Sequence, residues 1–457
     1  MFDALLRLNI TDGPLIVVVM VVAVALAVFL LVRKPTPRWM MTAALAVLIG
    51  GGVAFGVLWL VNDVFDTFGM RLSVDVALWA VATFAGVSLA IVNLWRSRWW
   101  RKTIAGIAIP VLLIAGTLGI NASFGLDPTV GAMFGVTTEK PIQLAAKPTA
   151  PPASSTTAPV SQPLWLSWQP PADMPKVGRA GAQVIPTPAS GFHSRPAGIY
   201  LPPAALVPNP PTLPLVILMM GQPGNPDPQY VQRVLDPFAA AHHGLAPIVI
   251  VADQLGNPAI DPACSDSQKY GNAETFIARD VVGWARAHLN VSTSPKGWTI
   301  AGYSNGGACA LTFAAKYPGI WGNVLDISGE EFPGADHEAS ALRDIFHGNQ
   351  AAYNAQKPAN ILATTKLADT AGVFTVGSDD GVYVGHVKNS YELAKRANVT
   401  STYYEVPNGG HVLGALLGGL AKGFEVLSPR LELSMPDSWA APTPVKSGGH
   451  IGRTTLP

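Results

Sequence analysis

The sequence predicts two unlike parts, an N-terminal region of four transmembrane helices and a C-terminal α/β domain whose mostly parallel central sheet carries helices on both faces. Three observations lead there. Long apolar runs crowd the first 126 residues, a stretch rich in Pro, Ala, Thr and Ser follows, and the remainder alternates apolar strands with amphipathic helices. Composition agrees, since 49% of the 457 residues are hydrophobic and only 13% are charged, which is too apolar for a wholly soluble chain. A net charge of +1 leaves no basic surface for nucleic acid, so no nucleic-acid partner is expected.

The apolar runs at residues 14–32, 40–61, 76–95 and 104–120 are each long enough to cross a bilayer. Arg33, Lys34 and Arg38 follow the first, Asp63 and Asp66 the second, and Arg96, Arg98, Arg101 and Lys102 the third. Basic loops stay in the cytoplasm, so the N-terminus and everything after the fourth run are expected outside. The first run leads into basic residues rather than a small-residue cleavage site, and reads as a retained span. Asn93 is the strongly polar side chain within these runs, whereas an ion or proton path needs ionisable groups at depth. The region therefore reads as an anchor, with Pro110 and Gly50-Gly51-Gly52 as places of kinking or close helix packing.

Four parts are expected: the membrane region at 1–126, an extended linker at 127–163, the α/β domain at 164–440 and a flexible tail at 441–457. The linker is poorest in apolar residues over 147–163, and a tether of that composition holds the outer domain away from the bilayer. In the outer domain an extended piece at 196–201 precedes strands at 213–220, 246–252, 298–302, 322–327, 372–376 and 401–406. Helices are expected at 230–242, 272–289, 306–316, 390–397 and 413–426. Continuous apolar strands in alternation with helices imply a parallel sheet buried on both sides.

One turn in that series carries chemistry. The strand at 298–302 runs into Gly302-Tyr303-Ser304-Asn305-Gly306, a GxSxG pattern that holds a serine exposed at the apex of a strand-to-helix turn. A chain with 45 glycines supplies such pentapeptides by chance, so the context decides. Serine becomes nucleophilic when an imidazole takes its proton and a carboxylate fixes the imidazole. The strand at 372–376 ends in Gly377-Ser378-Asp379-Asp380-Gly381, and the strand at 401–406 ends in Pro407-Asn408-Gly409-Gly410-His411. The order Ser304, Asp380, His411 is that of α/β-hydrolases, each residue at the end of a strand where such sheets carry their sites. Asp379 is the alternative acid, and either aspartate could instead cap the next helix. An oxyanion site is expected from the backbone N–H of Asn305 and, in the loop Gly221-Gln222-Pro223-Gly224-Asn225-Pro226, that of Gln222. No Lys-Ser or Lys-Thr pair follows that loop, and HExxH, CxxC and Cys/His clusters are lacking, so neither cofactor nor metal is expected. The two cysteines, Cys264 and Cys309, map to one sheet edge and form either a disulfide beside the site or two buried free thiols.

The segments GNAETFIARDVVGWARAHL, GYSNGGACALTFAAKYPGIW, DISGE, GSDDG and NGGH resemble the putative esterase family that includes esterase D and the secreted mycolyltransferases, over about residues 195–427. The resemblance is closest to membrane-anchored actinobacterial esterases with cysteines at these two places. It implies an α/β-hydrolase fold with Ser304, Asp380 and His411 as triad. The membrane anchor favours an ester of a membrane lipid or envelope glycolipid as substrate, either hydrolysed or giving its acyl group to a sugar or lipid hydroxyl, and the remaining alternative is a membrane scaffold with a catalytically inactive hydrolase domain. Mycolyltransferases carry a glutamate as the acid and a tryptophan soon after the histidine, where this chain has Asp380 and Val412-Leu413-Gly414. Residues 331–370 are expected to form a lid.

Overall fold

The structure is a computed structural model and describes residues 2–64, 72, 74–125, 127–134, 136, 138–144, 162–367 and 369–436. The expected tail at 441–457, Asp66 and most of the Pro/Ala/Thr/Ser run lie outside the described residues. Among the described residues four helices are long and apolar enough to cross a membrane, all in the N-terminal part: α1 (Pro14–Leu31), α2 (Pro37–Trp59), α3 (Val74–Asn93) and α4 (Trp99–Phe124). Their outward side chains, such as Val17, Val21, Leu48, Phe55 and Ile114, are exposed and apolar, the surface a bilayer covers. Small residues let the backbones meet. A Cβ on Gly50 of α2 would stand 2.5 Å from the carbonyl oxygen of Phe84 in α3, and one on Gly119 of α4 would stand 2.4 Å from the Trp79 ring.

Asn93 holds the other end of this bundle together. Its Oδ1 accepts from Arg101 Nε at 2.8 Å, and the Arg101 guanidinium donates to the carbonyls of Phe29, Leu30 and Val32. Those carbonyls belong to the last turn of α1 and its C-cap, Val32, and have no partner within the helix, so Arg101 satisfies them and places a positive charge at the negative end of the helix dipole. Asn93 thus has a structural employment.

The outer domain is an eight-stranded sheet: β1 (Arg179–Gln183), β2 (Ala197–Leu201), β3 (Leu215–Met219), β4 (Ile248–Ala252), β5 (Trp298–Tyr303), β6 (Asn323–Ile327), β7 (Ala371–Gly377) and β8 (Thr400–Val406). Their spatial order is β1-β2-β4-β3-β5-β6-β7-β8. β2 runs antiparallel to both its neighbours and the rest are parallel. Six strands match the expected apolar runs. β1, Arg-Ala-Gly-Ala-Gln, is additional, an edge strand too polar and too small in its side chains to stand out.

The main helices are α5 (Gln229–Ala241), α6 (Ala273–Thr275, the π-helical Phe276–Val281 and Val282–His288), α7 (Asn305–Lys316), α8 (Glu338–Asp344), α9 (Gln350–Asn354), α10 (Pro358–Thr364), α11 (Val382–Arg396) and α12 (Leu413–Leu427). The pleat of β6 assigns them to faces. Side chains added at Gly419 and Gly423 of α12 would strike Ile327 and Leu325, while one at Gly307 of α7 would strike Asp326 between them. α12 and α7 therefore cover opposite faces of the sheet. α11 begins eight residues before the expected helix, directly after the turn that holds Asp380.

The expected tether does not hold the outer domain at a distance where the chain is described. Residues 138–144 lie along the sheet edge, with Ile142 N–H donating to Ala182 O at 3.0 Å and Ala182 N–H donating to Lys140 O at 2.8 Å. The segments flanking the bundle, before α1 and after α4, meet the domain by polar contacts: Asn225 Nδ2 to Asp127 Oδ1 at 2.8 Å, Gln229 Nε2 to Glu139 Oε1 at 2.7 Å and Arg233 to Asp12 at 3.0 Å. Residues 331–370 are also not one lid. Their first part reaches the cavity described below, and the rest forms α9 and α10, with Tyr353 buried against Phe346, Ile345 and Ala263.

Asp326 lies fully buried against the backbone of Gly307 and Gly329, and burial pushes its carboxyl up to about 7. A carboxyl whose folded value is raised adds stability below its unfolded value of 3.8, and that contribution is lost as pH climbs through about 7. Asp326→Asn is therefore expected to raise the melting midpoint at pH 8 and flatten its decline between pH 5 and 8, by an amount on the order of 2–4 kcal/mol at the alkaline end. Thermal melts of the detergent-solubilised chain across that range check it.

Candidate active site

The elbow is built by the near-contact of three backbones. A Cβ on Gly302 would stand 1.8 Å from the carbonyl oxygen of Gly306, and a Cβ on Gly306 would stand 2.1 Å from that of Met219, so only glycine permits β5, α7 and β3 to meet here. Between the two glycines Ser304 adopts φ 55° and ψ −122°, a strained backbone conformation for a residue with a side chain. Its N–H donates to Ile327 O at 2.9 Å, tying the elbow to β6. Ser304 keeps 8% of its surface exposed.

Two later strands deliver its partners. The chain leaving β8 turns through Gly409 and Gly410 to His411, whose Nε2 lies 2.8 Å from Ser304 Oγ. The chain leaving β7 turns through Gly377 to Asp380, both of whose carboxylate oxygens lie 3.0 Å from His411 Nδ1. A side chain on Gly377 would stand 2.2 Å from Gly409 O, so that glycine lets the two turns come together. Of the two aspartates, Asp380 is the buried one at the histidine, while the Asp379 carboxylate accepts from the Ser378 hydroxyl on the surface. Neither caps α11, whose N-cap is Gly381 without a side-chain bond.

Asn305 opens α7, where a backbone N–H has no acceptor within the helix, and Gln222 shares the cavity wall with it beside Ser304. The loop of Gln222 is pressed against Ser304, because a Cβ on Gly221 would stand 3.0 Å from Ser304 Cβ. Gln254 braces the arrangement, its Nε2 donating to Met220 O at 2.5 Å and to Asn305 Oδ1 at 3.2 Å. Cys264 and Cys309 are joined as a disulfide, closing the loop that carries Pro258 to Asp261 against α7.

A cavity of about 680 Å³ opens above Ser304, within the range of small-molecule and lipid sites. Its walls differ. Asp261, Glu330 and Asp336 form one side, each carboxyl raised above its usual range first of all by burial, with Asp261 and Glu330 beside the Asn305 amide. These acids, and the two tyrosines packed on His411, were not legible in sequence. Tyr383 lies 4.0 Å from the imidazole by ring centroids and donates from its hydroxyl to Asp336 Oδ2 at 2.8 Å, while Tyr303 stacks at 5.2 Å. Tyr303 occupies the free second position of the GxSxG pattern, and Tyr383 follows Asp380 by three residues; nothing in the pattern marks either. Among the described residues no group of three or more His, Cys, Asp and Glu is arranged to hold a metal ion.

Residues 193–380 match the family described as Putative esterase. An uncharacterized protein of Corynebacterium glutamicum is 29% identical over 437 residues, covering 92% of this chain and 97% of its own length. Among solved structures, S-formylglutathione hydrolase from Agrobacterium tumefaciens is 15% identical, covers 57% of this chain and 98% of its own, and superposes with a TM-score of 0.48. A ferulic acid esterase of Anaeromyces mucronatus is 14% identical, covers 60% and 97%, and gives a TM-score of 0.41.

Asp380→Asn is expected to lower kcat on a soluble ester by about 10³–10⁴-fold, because the imidazole loses the anion that fixes its tautomer. Asp379→Asn should change it by less than about twofold, since its carboxylate is outside the hydrogen-bonded line. Steady-state kinetics on both variants check the assignment.

Proposed function

We propose that this chain, whose outer domain belongs to the putative esterase family and is a hydrolase, acts as a membrane-anchored extracytoplasmic serine esterase on an ester of a lipid or envelope glycolipid. The observation that carries the reading is the unbroken line from Ser304 Oγ through His411 to Asp380, at 2.8 and 3.0 Å. His411 Nε2 takes the hydroxyl proton as Ser304 Oγ attacks the ester carbonyl, and Asp380 holds Nδ1–H and stabilises the imidazolium that forms. The negative charge on the carbonyl oxygen is met by the N–H groups of Asn305 and Gln222. When the tetrahedral intermediate collapses, His411 returns the proton to the departing alkoxide, leaving the acyl group on Ser304. Water then repeats the sequence and frees the acid.

Charge and contact support this location. The basic residues Arg33, Lys34, Arg96, Arg98 and Lys102 gather at one end of the bundle, which favours that end for the cytoplasm. The Asp12 to Arg233 pair supports placing the N-terminus and the outer domain together at the other end. Membrane seating in turn favours a substrate drawn from the bilayer or the layer above it.

A second reading, acyl transfer, is favoured by one specific feature. The carboxyls of Asp261, Glu330 and Asp336 stand in the cavity, and groups raised by burial can donate as well as accept hydrogen bonds. Such a wall suits a hydroxyl-bearing alcohol, either departing or attacking. Incubating the full chain in vesicles with a long-chain acyl ester, with and without a sugar acceptor, separates the two. Esterase action is expected to release free fatty acid at a rate the acceptor leaves unchanged; an acylated sugar formed faster than free acid would replace hydrolysis by transfer.

A further inference from the structure

The same cavity is bounded on one side by the membrane region. Ile120, Phe124 and Gly125 at the outer end of α4, with Leu72 just before α3, line it together with Ser304, His411 and Leu416 of α12. This is a packed junction. Gly125, in a left-handed conformation at φ 67°, ends α4 so close to α12 that a Cβ there would stand 2.8 Å from Leu413 Cδ1, two residues beyond His411. The chain then folds back, with Asn121 and Asp127 exchanging hydrogen bonds, and Asp127 accepts from Asn225 in the loop of Gln222. Arg195 continues the connection, donating to Asn225 Oδ1 and to Asp253 Oδ1, both at 2.7 Å. The outer end of a membrane helix is thus fastened to the loop beside the nucleophile.

We infer that α4 is part of the substrate site: the acyl chain of a bilayer ester lies along Ile120 and Phe124, with Leu72 and Leu416 completing an apolar wall, and its carbonyl end rests at Ser304. Ile120 and Phe124 are partly exposed although they belong to a helix that continues into the bilayer, so a chain bound there stays among apolar groups from membrane to serine. Moving a long chain fully into water would cost about 0.8 kcal/mol per CH₂, and this wall removes that cost. The opposite, acidic wall of Asp261, Glu330 and Asp336 meets the alcohol portion. The two walls give the cavity a direction, acyl chain toward the membrane and alcohol away from it.

The inference rests on the esterase reading and adds chain length as the property that α4 reads. The test uses the full chain in detergent and compares kcat/KM for a palmitoyl ester with that for an acetyl ester of the same alcohol. Ile120→Trp, which fills the wall, and Phe124→Ser, which makes it polar, are each expected to lower the palmitoyl-to-acetyl ratio about tenfold or more. Ile114→Trp, on the exposed face of the same helix, should leave the ratio at its wild-type value. A ratio unchanged in both Ile120→Trp and Phe124→Ser would overturn the inference while leaving the esterase reading standing. A wild-type chain that turned over neither ester would overturn the esterase reading, and this inference with it.

Discussion

At Gly306, where a side chain would stand 2.1 Å from the carbonyl oxygen of Met219, the helix after Ser304 touches the strand next to its own. That approach sets the rest of the site. It brings the end of β3 beside the elbow, so the loop of Gly221 and Gln222 sits against Ser304, and Asn305, the first residue of α7, lines the same cavity. The strain at Ser304, with φ 55°, is sustained by surrounding order, from the hydrogen bond to Ile327 below to the Gln254 brace beside it. Two parallel strands farther along, β7 and β8, then need only end at the same level for Asp380 and His411 to complete the line. The paired turns through Gly377 and Gly409 achieve that.

The membrane region enters this geometry more closely than an anchor requires. Polar pairs at Asp12 before α1, and at Asp127 and Glu139 in the segment after α4, tie the N-terminal region to the α/β domain, and the carboxylates come from that region in each case. One of them reaches the loop beside Ser304. One end of the bundle is held by Arg101 and Asn93, and the end of α4 at Ile120, Phe124 and Gly125 lines the cavity at Ser304. The arrangement couples the position of the α/β domain to that of the four apolar helices.

Much of this was legible in the sequence because it depends on local pattern. Buried parallel strands are continuous apolar runs, and the elbow, the two glycine turns and the order Ser304, Asp380, His411 are short motifs tied to strand ends. What escaped depends on partners far apart in the chain. The Asn225 to Asp127 bond spans 98 residues, and the segment that carries Asp127 has a composition that fits a loose tether until its partner is known. β1 escaped because Ala and Gly give no alternation. The start of α11 escaped because the motif before it reads as a loop. The acidic wall assembles Asp261 with Glu330 and Asp336 from separate loops, and no spacing announces it.

The central claim is that Ser304 is a nucleophile activated by His411. Its most direct measurement is to treat the folded full-length chain with a fluorophosphonate and locate the adduct by peptide mass spectrometry. The account expects one phosphonylated site, on Ser304, lost in His411→Gln although Ser304 is still present. A folded wild-type chain that stays unmodified, or that carries the adduct on another residue, would contradict it.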